Sequence, residues 1–263
     1  EVTISGSTSS QFITALLMAA PVCGGLKIKI KGDLISKPYV DLTVKLIEKF
    51  GAVVSRNGYS EFTVEGTGYT SPGSYLIEGD ATGATYFAAA AAIGGELELY
   101  GLPEDSVQGD IKFLDVLAQM GAKIKKTESS VIIKKSKLHG IDIDMNAMPD
   151  AAMTLVPLAL YTDGPITIRN IASWRVKETD RIEAMVKEMS KLGVKVESGE
   201  DYISIDGSTR NDVTPTFDTY NDHRMAMCMS LIAFDRDIVI NDPECINKTF
   251  PTYFNNLKSV SKN

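Results

Sequence analysis

The 263-residue sequence predicts an α/β (α+β) fold built from repeated β-α-β-α-β-β units. Three observations carry this. A pattern of small or polar residues opening an apolar helix returns about every 70 residues, at Ser10, Gly83, Asp150 and Asp222. Three amphipathic helices end at a glycine, Gly51, Gly121 or Gly193, where a left-handed residue can close the last turn. After each of these glycines the apolar residues switch to a period of two, as in "KVESGEDYISID", the spacing of a half-buried strand.

Taken in order, "EVTIS" is strand-like, "STSSQFITALLMAAP" is a helix and "LKIKIKG" a strand. "LTVKLIEKF" is the first glycine-terminated helix, followed by the strand pair within "AVVSRNGYSEFTVEG". The second unit gives "DATGATYFAAAAAIGG" as a short buried helix, then "LELYG", then the helix ending at Gly121 and a strand–polar turn–strand in "KIKKTESSVIIKKS". The third gives an apolar helix in "MPDAAMTLVPLALYTDG", the strand "ITIRN", the helix ending at Gly193 and a last hairpin. A fourth first half, "NDHRMAMCMSLIAF" with "DIVIN", is followed only by the helix "FPTYFNNLKSV". Units that mix both periods exclude helical solenoids and propellers and predict packed layers. "GTGYTSPGS" at 66–74 is the best boundary, so the expected domains are 1–74, one leading unit, and 75–263, three units. The chain opens without methionine, and the expectation is a piece of something longer.

Composition narrows the function. A net charge of −7 argues against a general nucleic-acid or membrane-surface binder, since phosphate contact needs basic excess. No apolar run approaches the roughly 18 residues of a spanning helix. Cys23, Cys228 and Cys245 are odd in number and widely spaced, which is neither a disulfide framework nor a zinc signature and fits a reducing, cytoplasmic setting. No two histidines have metal-ligand spacing, so no metal is expected. There is no GxxxxGK[ST], GxGxxG or GxSxG, so a phosphate would be held without a P-loop or dinucleotide fold.

The candidate chemistry lies at helix N-termini, which present backbone N–H groups and the positive end of the dipole to anions. Ser9, Ser10 and Gln11 add neutral donors at the first of these, while Asp150 and Asp222 also read as ordinary caps. "WRVKETDRIEAM" is unusual: with Thr179 as N-cap and Asp180 in the first turn, Lys177 and Glu178 lie in the leading loop and Arg181 in the first turn. A cation there opposes the helix dipole, and a local rule broken without local compensation marks a candidate functional site. The bland alternative is a solvated pair of Arg181 with Asp180 or Glu178. Arg224 and Lys248 likewise precede apolar helices. His223 reads as structural more readily than catalytic, and His139 as a loop residue.

The motifs "SSQFITALLMAAP", "GDLISKPYVDLT", "MPDAAMT", "WRVKETDR", "NDHRMAM" and "NKTFPTYF", in this order, resemble the 5-enolpyruvylshikimate-3-phosphate synthase family from near residue 5 to near residue 255. "WRVKETDR" separates it from the related UDP-N-acetylglucosamine enolpyruvyl transferases. The resemblance implies two domains of three repeats each, closing over the substrates, of which about two leading units are absent from this sequence. It implies transfer of the enolpyruvyl group of phosphoenolpyruvate to the 5-hydroxyl of shikimate 3-phosphate with release of phosphate, and no cofactor. By resemblance, Ser9, Ser10, Ser36, Ser173 and Lys177 hold shikimate 3-phosphate and Tyr39 lines its ring. Gln11 lies between the two substrates. Arg181, Arg224 and Lys248 clamp phosphoenolpyruvate. Asp150 faces the 5-hydroxyl as base or orienter, and Glu178 donates the proton to the methylene carbon. The expected partners are these two small molecules and the missing N-terminal segment, in an otherwise monomeric protein. The competing readings are a non-catalytic fragment that binds shikimate 3-phosphate, and a purely structural repeat protein.

Overall fold

The computed structural model describes residues 1–127 and 130–261. Two compact units result. One comprises Glu1–Glu78 with Asp105–Gly109 and Asn146–Met148, and the other Gly79–Glu104, Asp110–Met145 and Pro149–Asn263.

The first unit is one complete repeat: β1 (Val2–Ser5), α1 (Ser10–Ala19), β2 (Gly25–Lys31), α2 (Lys37–Lys49), β3 (Val54–Asn57) and β4 (Glu61–Glu65). Its sheet runs β1-β2-β4-β3, with β1 parallel to β2 and the remaining pairs antiparallel. Ile13, Leu17, Val40, Val44, Ile47, Ile28, Phe62 and Val64 form its core between the two helices and the sheet. The crossovers are stitched at one edge: Gly6 N–H donates to the Lys31 carbonyl at 3.0 Å and Ile35 N–H to the Gly6 carbonyl at 3.1 Å. A Cβ on Gly6 would meet Ile30 Cγ2 at 2.7 Å and the Asp33 carbonyl oxygen at 2.9 Å, which explains the glycine.

The second unit holds the other repeats. Its first is α3 (Ala81–Gly94), β5 (Glu96–Tyr100), α4 (Phe113–Gln119), β6 (Lys123–Lys126) and β7 (Ser130–Lys134), with strand order β5-β7-β6. The polar turn expected between β6 and β7 falls on 128–129, outside the described residues. Helix α3 is buried around most of its circumference, as its unbroken alanine run requires. The next repeat is β8 (Ile141–Asp144), α5 (Pro149–Ala152), α6 (Leu155–Leu158), β9 (Ile166–Arg169), α7 (Arg181–Ser190), β10 (Lys195–Ser198) and β11 (Ile203–Asp206). Its order, β8-β9-β11-β10 with β8 parallel to β9, repeats that of the first unit. The chain closes with β12 (Thr216–Phe217), α8 (His223–Ser230), β13 (Val239–Ile240) and α9 (Tyr253–Val260), β12 and β13 being parallel.

The three glycines end their helices as expected, with φ of 81°, 100° and 73° at Gly51, Gly121 and Gly193. Ala52 N–H reaches back to the Ile47 carbonyl and Ala122 N–H to that of Leu117, the longer bond of a Schellman closure. One helix differs from the sequence reading. The apolar segment after Met148 is not continuous: α5 and α6 are single turns, followed by a 3-10 turn at Ala159–Tyr161. Pro157 is the cause. Its ring crowds the carbonyl four residues back, at Met153, and it has no N–H to give. The chain tightens instead, with Thr154 N–H bonded to Ala151 and Val156 N–H to Met153. Among the described residues no helix is long and apolar enough to cross a membrane.

Candidate active site

Parallel pairing decides where the polar residues gather. In the first unit β1 and β2 run the same way, so both end at one edge of the sheet, and the helix after each begins there. Ser9 is the N-cap of α1 and accepts from the Gln11 N–H at 3.2 Å. Ser10 is buried beside it and Gln11 exposed. Ser36 precedes α2, buried and left-handed at φ 52°, with its N–H on the Asn146 side-chain oxygen at 3.3 Å and its carbonyl accepting from Tyr39. The predicted hydroxyl, amide and phenol groups of this unit therefore sit at two helix N-termini rising from one sheet edge.

The second unit repeats the device. The parallel strands β8 and β9 end near one another, Met145 N–H donating to the Arg169 carbonyl at 3.0 Å, and Asp150 and Arg181 stand at the helix starts that follow. Trp174, fully buried, donates its indole N–H to the Pro149 carbonyl at 2.7 Å and so fixes the backbone beside Asp150. The parallel pair β12–β13 brings the start of α8 in the same manner, while Lys248 ends the 3-10 turn Pro243–Lys248 that follows β13 rather than opening α9.

Arg181 is the hub. Only 1% of its side chain is exposed, and it touches three carboxylates: Asp150 at 2.8 Å, Glu178 at 2.7 Å and Asp222 at 2.7 Å through Nε, with a second contact at 3.4 Å. A lone buried guanidinium would be prohibitively costly, and this ring of partners compensates both burial and the unfavourable dipole. The N-cap of α7 is Asp180, not Thr179: its carboxylate accepts from the Glu183 N–H at 3.1 Å and pairs with Arg175 at 2.7 Å. An ionised carboxylate suits the positive helix end better than a hydroxyl. The Arg181–Glu178 pair exists, with Arg181 buried and Glu178 partly exposed, and Asp180 is engaged elsewhere.

Three further cations surround the carboxylates. Asp150 meets Arg224 at 3.1 Å and Lys177 at 3.8 Å, and Glu178 accepts from Lys248. Arg224 also donates to the buried Tyr86 hydroxyl at 3.3 Å. Lys177, Arg181, Arg224 and Lys248 against Asp150, Glu178 and Asp222 make four cations to three anions, a local positive excess in an acidic chain. Burial opposes ionisation of Asp150, yet the charges of Arg224, Arg181 and Lys177 outweigh it and hold its carboxyl well below the usual range. Burial works against Glu178 as well, but the Lys248 hydrogen bond and Arg181 pull it down to about 2. Both carboxylates are therefore anions at neutral pH. Glu178, expected from the motif resemblance as the proton donor, is thus held as an anion hydrogen-bonded to Lys248.

His223, only 2% exposed, lies 3.6 Å from Asp222 and 3.9 Å from Glu178. Burial and the neighbouring Arg224 lower its pKa to about 4, so it is neutral here. Ser173 lies half-buried in the turn before Trp174, with no side-chain hydrogen bond among the described residues. Asp222 and His223 join the cluster, although the sequence reading gave a substrate only to their neighbour Arg224 and read Asp222 also as a cap and His223 as more readily structural. The motif "NDHR" already contained them, with Asp222 disguised as a routine cap, a role it also fills toward the Arg224 N–H at 2.9 Å. Tyr86 had no sequence signal. Among the described residues no group of three or more His, Cys, Asp or Glu side chains is placed to hold a metal ion.

The sequence profile of EPSP synthase (3-phosphoshikimate 1-carboxyvinyltransferase) matches residues 1–257. The chain belongs to the EPSP synthase family. It is 51% identical, over 100% of its length, to the 3-phosphoshikimate 1-carboxyvinyltransferase of Aeromonas salmonicida. It is 53% identical over 99% of its length to that of Shewanella amazonensis. It spans 62% of the length of each of these relatives. The fold matches EPSP synthase from Acinetobacter baumannii with a TM-score of 0.76 at 22% identity, covering 99% of this chain and 62% of that one. It also matches the enolpyruvyl transferase NikO from Streptomyces tendae with a TM-score of 0.74 at 18% identity, covering 98% and 63%. The EPSP synthase family thus accounts for the repeat pattern and for the order of the motifs.

Proposed function

We propose that this chain is the larger part of an enzyme that transfers the enolpyruvyl group of phosphoenolpyruvate to the 5-hydroxyl of shikimate 3-phosphate, releasing phosphate, in the cytoplasm. The observation that carries the reading is the cluster of four basic side chains, Lys177, Arg181, Arg224 and Lys248, organised by the carboxylates of Asp150, Glu178 and Asp222. Both substrates are phosphorylated, and phosphoenolpyruvate adds a carboxylate. Arginine matches such groups with a planar fork and lysine with a point charge.

Arg224 and Lys248, with 13% and 55% of their side chains exposed, hold phosphoenolpyruvate. Arg181 organises them and adds whichever of its five N–H donors the carboxylates leave over. Lys177, Ser9, Ser10, Ser36 and Ser173 serve shikimate 3-phosphate, with Tyr39 along its ring and Gln11 toward both substrates. Asp150, ionised, orients the 5-hydroxyl and accepts its proton as oxygen attacks the central carbon of phosphoenolpyruvate. The Lys248–Glu178 pair delivers a proton to the methylene carbon, giving a tetrahedral intermediate. Glu178 or Lys248 then takes a proton back from the new methyl group as phosphate leaves. The activity needs the rest of the protein, since this chain spans only 62% of the relatives' length, and the segment needed is an N-terminal one.

The test is phosphate release from phosphoenolpyruvate that depends on shikimate 3-phosphate. The chain joined by its N-terminal segment should turn over, and the 263 residues alone should not. Turnover by the chain alone would remove the requirement for the segment, and no turnover by the joined protein would remove the reading.

A further inference from the structure

The loop that carries Asp222 and Arg224 is held in an unfavourable conformation by groups the chemistry does not use. Tyr220 and Asn221 both adopt φ of 55°, and the Asp222 N–H closes onto the Thr219 carbonyl at 2.8 Å. Two successive left-handed residues in such a closed turn are the arrangement of a type I′ turn, which suits asparagine and glycine. A tyrosine there is strained, and strain of this kind persists only where the surroundings over-determine it.

Glu188 supplies that over-determination. Its carboxylate is fully buried in the last turns of α7. It accepts from the Tyr220 hydroxyl at 2.6 Å, from the Asp218 N–H at 2.9 Å and from Lys191 at 2.6 Å. Lys191 also donates to the Thr216 carbonyl at 2.8 Å, and Lys187 lies 5.5 Å from the centre of the Tyr220 ring. One helix therefore grips the loop at two points. Its C-terminal half holds Asp218 and Tyr220 through Glu188, and its first residue holds Asp222 through Arg181.

We propose that the Glu188–Tyr220 hydrogen bond is a positioning latch: it holds the left-handed turn so that Asp222 caps α8 and Arg224 points its guanidinium at Asp150. The proposal deepens the functional reading above and rests on it for the substrate named, phosphoenolpyruvate. Glu188 and Tyr220 act through Arg224 and touch no reacting atom. With the latch open the turn relaxes toward conformations tyrosine prefers, and Arg224 samples positions that do not meet the ligand. The loss falls on the affinity of the one substrate that Arg224 serves.

Tyr220→Phe removes only the hydroxyl. In the full-length protein KM for phosphoenolpyruvate should rise about tenfold, with kcat within about twofold and KM for shikimate 3-phosphate unchanged. Glu188→Gln, which still offers the tyrosine a hydrogen-bonding partner, should stay near wild type, and Glu188→Leu should reproduce Tyr220→Phe. A merely structural bond predicts lower thermal stability with both KM values unmoved, and that result overturns the latch, as does an equal rise in both. Crystal structures of wild type and Tyr220→Phe decide the matter without turnover. A displaced Arg224 guanidinium supports the latch, and an Arg224–Asp150 contact unchanged between them refutes it. Wild type that fails to turn over phosphoenolpyruvate removes the substrate assignment and leaves that structural comparison standing.

Discussion

Asp222→Asn removes one charge from the cluster while keeping its shape. Asparagine is as good an N-cap as aspartate, so the bond from the Arg224 N–H survives. Arg181 loses its Nε partner at 2.7 Å and keeps only the weaker contact at 3.4 Å, to the oxygen that also caps Arg224. Both side chains are buried, 1% and 0% exposed, and breaking a buried pair costs about 3–5 kcal/mol because the remaining charge is stranded. Asp150 and Glu178 still neutralise Arg181 in part, so the expected loss is near the lower figure, about 3 kcal/mol. For a chain of this size that lowers the melting temperature by about 6–12 °C. Urea unfolding at pH 7, followed by the fluorescence of Trp174, is the assay; this single tryptophan is buried in the same unit and bonded next to Asp150. The slope against urea should not change. The control is Asp142→Asn. Arg169 grips Asp142 at 2.6 and 2.7 Å, a better fork than at Asp222, but the side chains are 51% and 56% exposed. Solvent screening leaves such a pair worth little, so the control should unfold with wild type. If Asp222→Asn is as mild as Asp142→Asn, Arg181 is not the hub described here.

Two more predictions follow from the same cluster. His223 is held neutral with a pKa of about 4, below its ordinary 6.5. A histidine lowered on folding contributes stability that is complete above pH 6.5 and is lost as pH falls toward 4. At about 1.4 kcal/mol per pH unit the loss is about 3 kcal/mol. Unfolding midpoints of wild type and His223→Gln between pH 7 and 4.5 check this, and equally steep curves would discard it; Glu178, at about 2, loses its contribution only below the ordinary carboxylate range. In the complete enzyme, Arg224→Ala should weaken phosphoenolpyruvate and Lys177→Ala shikimate 3-phosphate, each by about tenfold to a hundredfold. Equal effects of both substitutions on both ligands, measured by calorimetry, would refute that division.

Local chemistry left clear marks in the sequence. The glycines at 51, 121 and 193 announced their helix ends, because only glycine takes a left-handed residue without strain. Period-two alternation located the hairpins, and the alanine run of α3 announced burial on all sides. The motifs "WRVKETDR" and "NDHRMAM" marked the site, because cations placed at helix entrances break a local rule and so stand out. The sequence also contained Pro157, and the break it makes in the helix after Met148 was predictable from its missing N–H; the apolar run hid it.

Long-range pairing was not legible. That Arg181 spends its donors on Asp150, 31 residues before it, and Asp222, 41 residues after it, depends on two parallel strand pairs, β8–β9 and β12–β13, bringing separate helix starts together. No local pattern encodes that convergence. The same holds for protonation. Glu178 reads as an acid from its motif, and the groups that hold its carboxyl low include Lys248, 70 residues away, as well as Arg181. A side chain's type is a property of the sequence. Its charge state and its partners depend on burial and on distances of a few ångströms, and these exist only once the chain has folded.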